Sequence, residues 1–372
     1  MAKIAIVSHY SPSLINFRGD LIRAMVDLGH EVICLGPEAG FEQPLQELGA
    51  RYGQISLNRT GLNPLQDLGT LFSLKKAFEE MKPDMVFSYT VKPIVYGSIA
   101  AHLAGVQEIY GMITGLGYVF IGETFKQKIL TQMVAFLYKC ALKHNQVVFF
   151  QNPDDLHLFV DKSIVPKAVK PVLVNGSGVN IEKFAFAPPK LSPVTFLLMA
   201  RLIKDKGILE YVEAARLLKQ KYPMAKFQLL GPLDTNPTAI TQEQLDQWAE
   251  EGVIEYLGET DDVRPFVANA SVYVLPSYRE GTPRSVLEAM SIGRPIITTD
   301  APGCRETVID GRNGFLVPVK DVSALMSAME KFISEPDLIA KMGKESRIIA
   351  EEKYDVRKVN QVILHEMGLI GK

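Results

Sequence analysis

The chain of 372 residues is poor in cysteine and tryptophan, with three of the first and one of the second. Cys34, Cys140 and Cys304 lie far apart and form no C-x-x-C pair. This excludes a disulfide framework and a zinc-ligand spacing, and it suits a reducing cytoplasm. No two aspartates stand two positions apart, so no D-x-D pair is available to hold a divalent metal. We therefore expect neither a metal nor another cofactor.

An excess of one charge is also missing, because 40 Lys and Arg face 42 Asp and Glu, for a formal net charge of -2. A nearly neutral chain has no overall field with which to bind nucleic acid, so we expect no such partner. The longest stretch without a charged residue, residues 93–107, has 15 residues. A membrane-spanning helix needs about 20. The first strand pattern starts at Lys3, and we expect no signal peptide before it.

Short apolar runs alternate with longer segments of helical period along the whole chain, which predicts parallel sheets covered by helices on both faces. The alternation pauses at residues 184–193, where three prolines indicate a linker. We therefore predict an α/β protein of two doubly wound, Rossmann-like domains, residues 1–185 and 186–354, that face each other across a cleft. The last helical segment, about residues 355–372, is a candidate to return to the first domain.

The segment LPSYREGTPRSVLEAMSIG carries the strongest chemical signal. It places Glu280 and Gly281 in a loop after a strand, and Glu288 on the following helix. Thr282 is predicted to cap that helix and Pro283 to occupy its first position, so the helix amides would face an anion such as a phosphate. A carboxylate accepts two hydrogen bonds, as the vicinal hydroxyls of a sugar require. The competing interpretation is a solvated helix residue and a loop charge.

A second cluster, ARLIKDKG, directly follows the first strand of the second domain. It contains Arg201 and Lys206, whose charges suit a diphosphate, and Gly207, which allows close approach of the backbone. The competing interpretation is a lysine-rich surface turn.

The first domain offers less specific signals. Gly115 and Gly117 flank a leucine after a strand and would bring backbone amides close to a ligand, and Arg18 is a candidate anion contact. For Arg18 a solvated surface position is the equal alternative. His9, at the end of the first strand, stays equally open.

A basic segment between residues 124 and 153 has no acidic residue. In helical projection its lysines lie beside an apolar stripe of Ile129, Met133, Phe136, Leu137 and Cys140. Such a helix can lie on an anionic membrane or bind a lipid diphosphate. The alternative, expected for most of the stripe, is packing on the sheet with the lysines in water. The candidate lysines are Lys126, Lys128, Lys139 and Lys143.

Taken together, these residues resemble the family-4 retaining glycosyltransferases of the GT-B fold. The likeness covers the whole chain and rests on E-x7-E at Glu280 and Glu288, on the Arg201 and Lys206 pair, and on the turns NGSGVN and DGRNGFLV. The likeness is specific in the second domain and looser in the first, where the pattern of Phe17 and Arg18 with Gly115, Leu116 and Gly117 is most similar to bacterial enzymes that extend sugars on undecaprenyl diphosphate, such as N-acetylgalactosaminyl transferases. The first domain has two differences from many members. It lacks a Gly-Gly loop after the first strand, and it has Thr90 where they have a histidine.

The resemblance implies a role for each of these residues. Glu288 would hold the nucleotide ribose, Glu280 the hydroxyls of the donor sugar, and Arg201 with Lys206 the diphosphate. The donor would be a nucleotide sugar, with UDP as first choice, and the first domain would carry a lipid-linked glycan acceptor. Transfer would retain the anomeric configuration and need no protein nucleophile and no metal. The enzyme would work at the cytoplasmic face of a bacterial membrane.

Three other functions remain as alternatives at this stage. A glycosidase would use Glu280 and Glu288 as its carboxylate pair, but cations nearby would hold Glu280 ionised and unsuited to act as an acid. A nucleotide-sugar epimerase of similar shape would turn over donor without acceptor. A two-lobed sugar-binding protein without enzymatic activity would need a signal peptide or a DNA-binding helix pair, and neither pattern is visible.

Overall fold

The computed structural model describes residues 1–57, 64–116, 125–236 and 238–371. The chain forms two compact units, one of Met1–Ser177 with Val356–Lys372 and one of Gly178–Asp355. The division lies before the predicted boundary at residue 185, since residues just after Gly178 already pack on the second unit. The Val179 amide donates to the Tyr354 carbonyl at 2.7 Å, and Phe184 is buried in the core of that unit.

The first unit contains a seven-stranded parallel sheet in the order β3-β2-β1-β4-β5-β6-β7. Five of its strands coincide with short apolar runs that the sequence predicts as buried strands, at residues 3–8, 31–35, 84–88, 108–110 and 146–150. The two edge strands, β3 and β7, were not predicted, because neither is an unbroken apolar run and both lie at the surface. The strands are β1 Lys3–Val7, β2 Glu31–Gly36, β3 Arg51–Gln54, β4 Met85–Tyr89, β5 Glu108–Ile113, β6 Val147–Phe150 and β7 Lys170–Leu173.

Helices connect these strands and cover the sheet. The helices α4, α5 and α6 form one layer, in which α5 packs against both of the others. The helices of this part of the chain are α1 Pro12–Asn16, α2 Gly19–Asp27, α3 Glu42–Gln46, α4 Pro64–Met81, α5 Val91–Leu103, α6 Phe125–Leu142 and α7 Pro153–Asp161.

The second unit contains a six-stranded parallel sheet in the order β10-β9-β8-β11-β12-β13. Its central strands are buried along their whole length, which explains why their sequences are mostly apolar. The strands are β8 Thr195–Met199, β9 Lys226–Leu230, β10 Glu255–Tyr256, β11 Val272–Leu275, β12 Ile296–Thr299 and β13 Gly314–Val317. The helices are α8 Ile208–Lys221, α9 Gln242–Glu250, α10 Arg264–Asn269, α11 Arg284–Ile292, α12 Val322–Ser334 and α13 Asp337–Ile349.

The last helix, α14 Val356–Glu366, belongs to the first unit. It packs against α2, and Val359, Ile363 and Leu364 join the core cluster that also contains Ile4 and Leu21. Two doubly wound parallel sheets confirm the predicted fold class. In the described ranges, no helix combines the length and the apolar character that a bilayer crossing requires.

Candidate functional site

The second sheet reverses its strand order between β8 and β11. From β8 the chain continues to β9 and β10 on one side, and β12 and β13 follow on the other side of β11. In open parallel sheets, ligands bind beyond the carboxyl ends of the strands at such a reversal. Both predicted clusters leave the sheet there, Arg201–Gly207 after β8 and the loop with Glu280 after β11.

Lys206 and Glu280 form an ion pair that joins the two clusters. The side chains are 18% and 13% exposed, so water reaches them only in part. The pair joins the end of β8 to the end of β11, the two strands between which the strand order reverses. A cation for phosphate and a carboxylate for hydroxyl groups thus stand side by side.

Arg201, which is predicted to bind a diphosphate, pairs with an aspartate of the same unit. Its Nη1 lies 3.0 Å from Oδ2 of Asp234, and its side chain is 47% exposed. Asp234 follows β9, on the strand next to β8, and no local pattern in the sequence marks it. The contact with Asp234 therefore orients the Arg201 side chain, which is still accessible to a ligand.

The turn after β8 packs closely on the end of β11. Lys206 ends a short 3-10 helix, Lys204–Lys206, and Gly207 follows with a φ of +73°. A Cβ at Gly207 would collide with the carbonyl of Pro276, so this position requires glycine for its φ and for its close approach. The sequence predicts close approach of the backbone at Gly207, and the contact with the Pro276 carbonyl is the physical reason.

The loop that carries Glu280 is held from two sides by backbone hydrogen bonds. The Tyr278 amide donates to the Asp205 carbonyl and the Glu280 amide to the Pro302 carbonyl, both at 2.9 Å. Gly303 has a φ of +81°, and a Cβ there would collide with the Glu280 carbonyl. Sequence reasoning missed Gly303, although the turn PGC directly after β12 was a signal for it.

The start of α11 differs from the prediction. The helix begins at Arg284, with Pro283 as its N-cap residue, and no side chain caps it. Thr282 is not the N-cap, because the extended ψ of 110° at Pro283 keeps the chain before it out of the helix, and the Thr282 hydroxyl donates to the Gly281 carbonyl at 3.0 Å. The nine-residue helix still directs its first amides away from the sheet at the reversal.

Glu288 lies one turn into α11 and is paired with Arg284, whose Nε is 3.1 Å from its Oε1. Burial raises the pKa of the Glu288 carboxyl, and the guanidinium of Arg284 acts in the opposite direction. Arg284 was missed by sequence reasoning, although its i,i+4 spacing from Glu288 was a signal. A buried carboxylate with one arginine contact retains acceptor capacity for ribose hydroxyls.

In the first unit, Arg18 is buried rather than solvated. It is 2% exposed, its guanidinium lies 5.0 Å from the centre of the Tyr89 ring, and its Nη1 is 3.2 Å from the Ser177 hydroxyl. The alternative of a surface position is therefore wrong. Gly115 has a φ of 120°, a conformation that favours glycine. Gly117 lies outside the described residues.

The strand order of the first sheet reverses between β1 and β4, and a second polar contact lies there. His9, after β1, and Thr90, after β4, are joined by a 2.6 Å hydrogen bond between Nδ1 and Oγ1. Thr90 has φ and ψ of 70° and 167°, a region adopted almost only by glycine. Backbone strain of this kind is concentrated at functional sites.

The basic helix α6 packs differently from the expected way. Its buried face consists of Val134, Tyr138, Ala141 and Leu142, whereas Ile129, Met133 and Phe136 are exposed. The expectation that most of this stripe packs on the sheet is wrong, because three of its five residues are exposed. Only Leu137, which packs against the core cluster, and Cys140 are partly buried. The helix is apolar on two opposite faces, and the other face turns inward. The lysines at 128, 139 and 143 are exposed, and the side chain of Lys126 lies outside the described residues.

Metal ligands were searched for among the described residues. There, no three His, Cys, Asp or Glu side chains lie close enough together to hold one ion. The positive charge at the second strand reversal comes from Arg201, Lys206 and the start of α11.

Two family models match the chain. Residues 193–335 match the model described as glycosyl transferases group 1, and residues 4–152 match the model described as glycosyl transferase 4-like. A curated relative from Campylobacter jejuni is 28% identical over 92% of this chain and 93% of its own. That relative is an N,N'-diacetylbacillosaminyl-diphospho-undecaprenol alpha-1,3-N-acetylgalactosaminyltransferase.

Solved structures show the same fold. Sucrose-phosphate synthase from Thermosynechococcus elongatus superposes with a TM-score of 0.81 at 18% identity, over 98% of both chains. HepE from Anabaena, solved with UDP and glucose, gives 0.78 at 17% identity over the full length of both. The matched models cover the second sheet and the first sheet except β7, and the fold is that of the GT-B enzymes. The chain therefore belongs to the group 1, family-4-like glycosyltransferases.

Proposed function

We propose that the protein transfers a hexose or N-acetylhexosamine from a UDP-sugar to a sugar carried on a polyprenyl diphosphate, in the assembly of a bacterial surface glycan or glycoprotein. The observation that carries the proposal is the Lys206–Glu280 pair beside the start of α11. It combines positive charge for a diphosphate with a carboxylate for sugar hydroxyls. The Campylobacter relative, similar over almost the whole chain, extends an undecaprenyl-diphosphate-linked sugar, which supports this class of acceptor.

Each donor-site group has a distinct role in the proposal. Arg201 and Lys206 bind the diphosphate, and the first amides of α11 add partial positive charge. Glu280 accepts hydrogen bonds from the donor sugar, and Glu288 accepts them from the ribose while Arg284 keeps contact with one carboxylate oxygen. The negative charge that develops on the leaving diphosphate is thereby stabilised by protein groups, so the reaction needs no divalent metal.

Transfer retains the anomeric configuration in this proposal. Glu280 is engaged by Lys206 and by backbone contacts that fix its loop, which suits a positioning group rather than a nucleophile. The acceptor hydroxyl then attacks from the face that the diphosphate leaves, and a phosphate oxygen takes its proton. The enzyme works at the cytoplasmic face of the plasma membrane, as a peripheral protein, because its acceptor is anchored there.

The roles of the two glutamates are separable by experiment. Glu280→Ala is expected to lower the transfer rate by roughly 10²- to 10³-fold and to leave the Kd for UDP almost unchanged, because it removes a contact to the sugar alone. Glu288→Ala is expected to weaken UDP binding about 10- to 100-fold, the loss of a charged hydrogen bond. Calorimetry with UDP and a transfer assay with a lipid-diphosphate sugar measure the two effects.

An exposed glutamate of the same unit, Glu335, provides the matched control, and Glu335→Ala should change neither quantity. Equal loss of binding and transfer in both site variants would contradict the assigned roles. Turnover of UDP-sugar without any acceptor would favour an epimerase. NMR of the product tests retention, and an undiminished rate in excess EDTA tests independence from metal.

A further inference from the structure

The helix α6 has a second apolar face that nothing in the described structure covers. Phe125, Ile129, Met133 and Phe136 are 78%, 52%, 42% and 65% exposed, and we call these four residues the apolar ridge. At about 100° per residue, the ridge spans roughly 80° of the helix circumference and lies opposite the buried face. Four large apolar side chains in one exposed row are unusual on a soluble protein and mark a contact surface.

Positive charge borders the apolar ridge. Lys128 and Lys139 are exposed on one flank of α6, and Lys143 follows its last turn. No acidic residue occurs anywhere between residues 124 and 153. An apolar row with cations at its edge is complementary to a bilayer surface, where acyl chains lie beneath a layer of anionic phosphates.

A second copy of the chain fits this surface less well. In a symmetric contact the same patch meets itself, so α6 would pack on α6. The helix has no acidic side chain to neutralise the lysines of its partner. A protein partner would need to supply several carboxylates around an apolar groove, whereas an anionic membrane supplies both features without further structure.

We propose that the apolar ridge inserts into the headgroup boundary of an anionic phospholipid bilayer and that Lys128, Lys139 and Lys143 contact the lipid phosphates. This specifies the surface through which the enzyme reaches its membrane, and its biological sense rests on the lipid-linked acceptor of the proposed function. The binding itself requires no donor and no transfer, so it is measurable independently.

Co-sedimentation with vesicles tests the proposal. The full chain is expected to bind vesicles of phosphatidylglycerol and phosphatidylcholine far more strongly than vesicles of phosphatidylcholine alone. The double variant F125S/F136S should bind at least tenfold less, because it removes the two most exposed rings of the apolar ridge. The double variant K128Q/K139Q should lose roughly fivefold per lysine on anionic vesicles and show a weaker dependence on salt.

Matched controls lie in the second unit. Met224 is as exposed as Phe125, and M224S should leave vesicle binding unchanged. Lys341 and Lys344 are exposed on α13, and K341Q/K344Q alters the net charge equally without affecting α6. If F125S/F136S does not fold, as judged by circular dichroism, the single variant F136Q replaces it.

The outcomes separate this inference from the proposed function. Variants of the apolar ridge should transfer sugar normally to a water-soluble, short-chain acceptor and slowly to an acceptor embedded in vesicles. Vesicle binding that is unchanged in F125S/F136S overturns the proposal, as does a dimer that this variant converts to monomer without any vesicle binding by the parent protein. If the parent protein transfers sugar to none of the acceptors, the proposed function is refuted and the membrane proposal is not affected.

Discussion

Gly303 offers a sharp test of how the loop after β11 is held. Its φ of +81° is strained for any other residue, and a Cβ would collide with the Glu280 carbonyl. Gly311 is the matched control, because it has a φ of +75° and open space around the position of a Cβ. Alanine at either position costs about 1–2 kcal/mol for the left-handed conformation. Only Gly303→Ala adds a collision, which costs about 1–3 kcal/mol more in a packed environment.

This difference is measurable in two ways. For a unit of this size, 1 kcal/mol shifts Tm by about 2–4 °C, so Gly303→Ala should melt about 2–12 °C below Gly311→Ala. Relief of the collision requires the Glu280 carbonyl to move, and a displacement of about 1 Å at a catalytic group costs on the order of 10²-fold in rate. Differential scanning calorimetry and the transfer assay measure the two effects. Equal Tm and equal activity in the two variants would refute the reasoning.

Two further predictions concern stability. Burial raises the folded-state pKa of Glu288. The contribution of this carboxyl to the free energy of unfolding is therefore most favourable below its ordinary pKa of 4.5 and declines as the pH rises through the raised value. The Tm of Glu288→Gln relative to the parent protein should therefore increase between pH 4 and pH 8, and a constant difference would contradict this. At Thr90, glycine and alanine both lose the hydrogen bond to His9, but only glycine also relieves about 1–3 kcal/mol of strain. Thr90→Gly should therefore melt at a higher temperature than Thr90→Ala, and the reverse order in a thermal scan would disprove the strain.

The sheets were predictable from the sequence wherever strands are buried on both faces. Strand β11 is apolar at every position, and β8 at every position except Thr195, because helices cover both sides of the sheet. The edge strands β3 and β7 were not predictable in this way. They are half exposed, so their residues need not be apolar, and their pairing depends on neighbours that are distant in the sequence.

The candidate site was predictable where a sequence motif marks its residues, as in the two clusters that follow β8 and β11. Lys206 and Glu280 meet because parallel strands end at the same edge, a consequence of topology that the sequence pattern contains. Asp234 and Gly303 follow two other strands, β9 and β12. No local pattern marks Asp234, and the turn PGC indicates a glycine turn without showing that it contacts the loop of Glu280. The prediction of which face of α6 is buried was also wrong, because periodicity cannot decide which of two apolar faces turns inward.

The discontinuity of the first unit has a consequence during synthesis on the ribosome. Its core includes Ile363 and Leu364 from α14, which leave the exit tunnel only after the whole second unit. At about 5–20 residues per second, translation of the roughly 180 intervening residues takes on the order of 10–35 seconds. Throughout that interval the nascent first unit exposes the apolar surface beside α2 on which α14 later packs. Chaperones can bind this surface during that time.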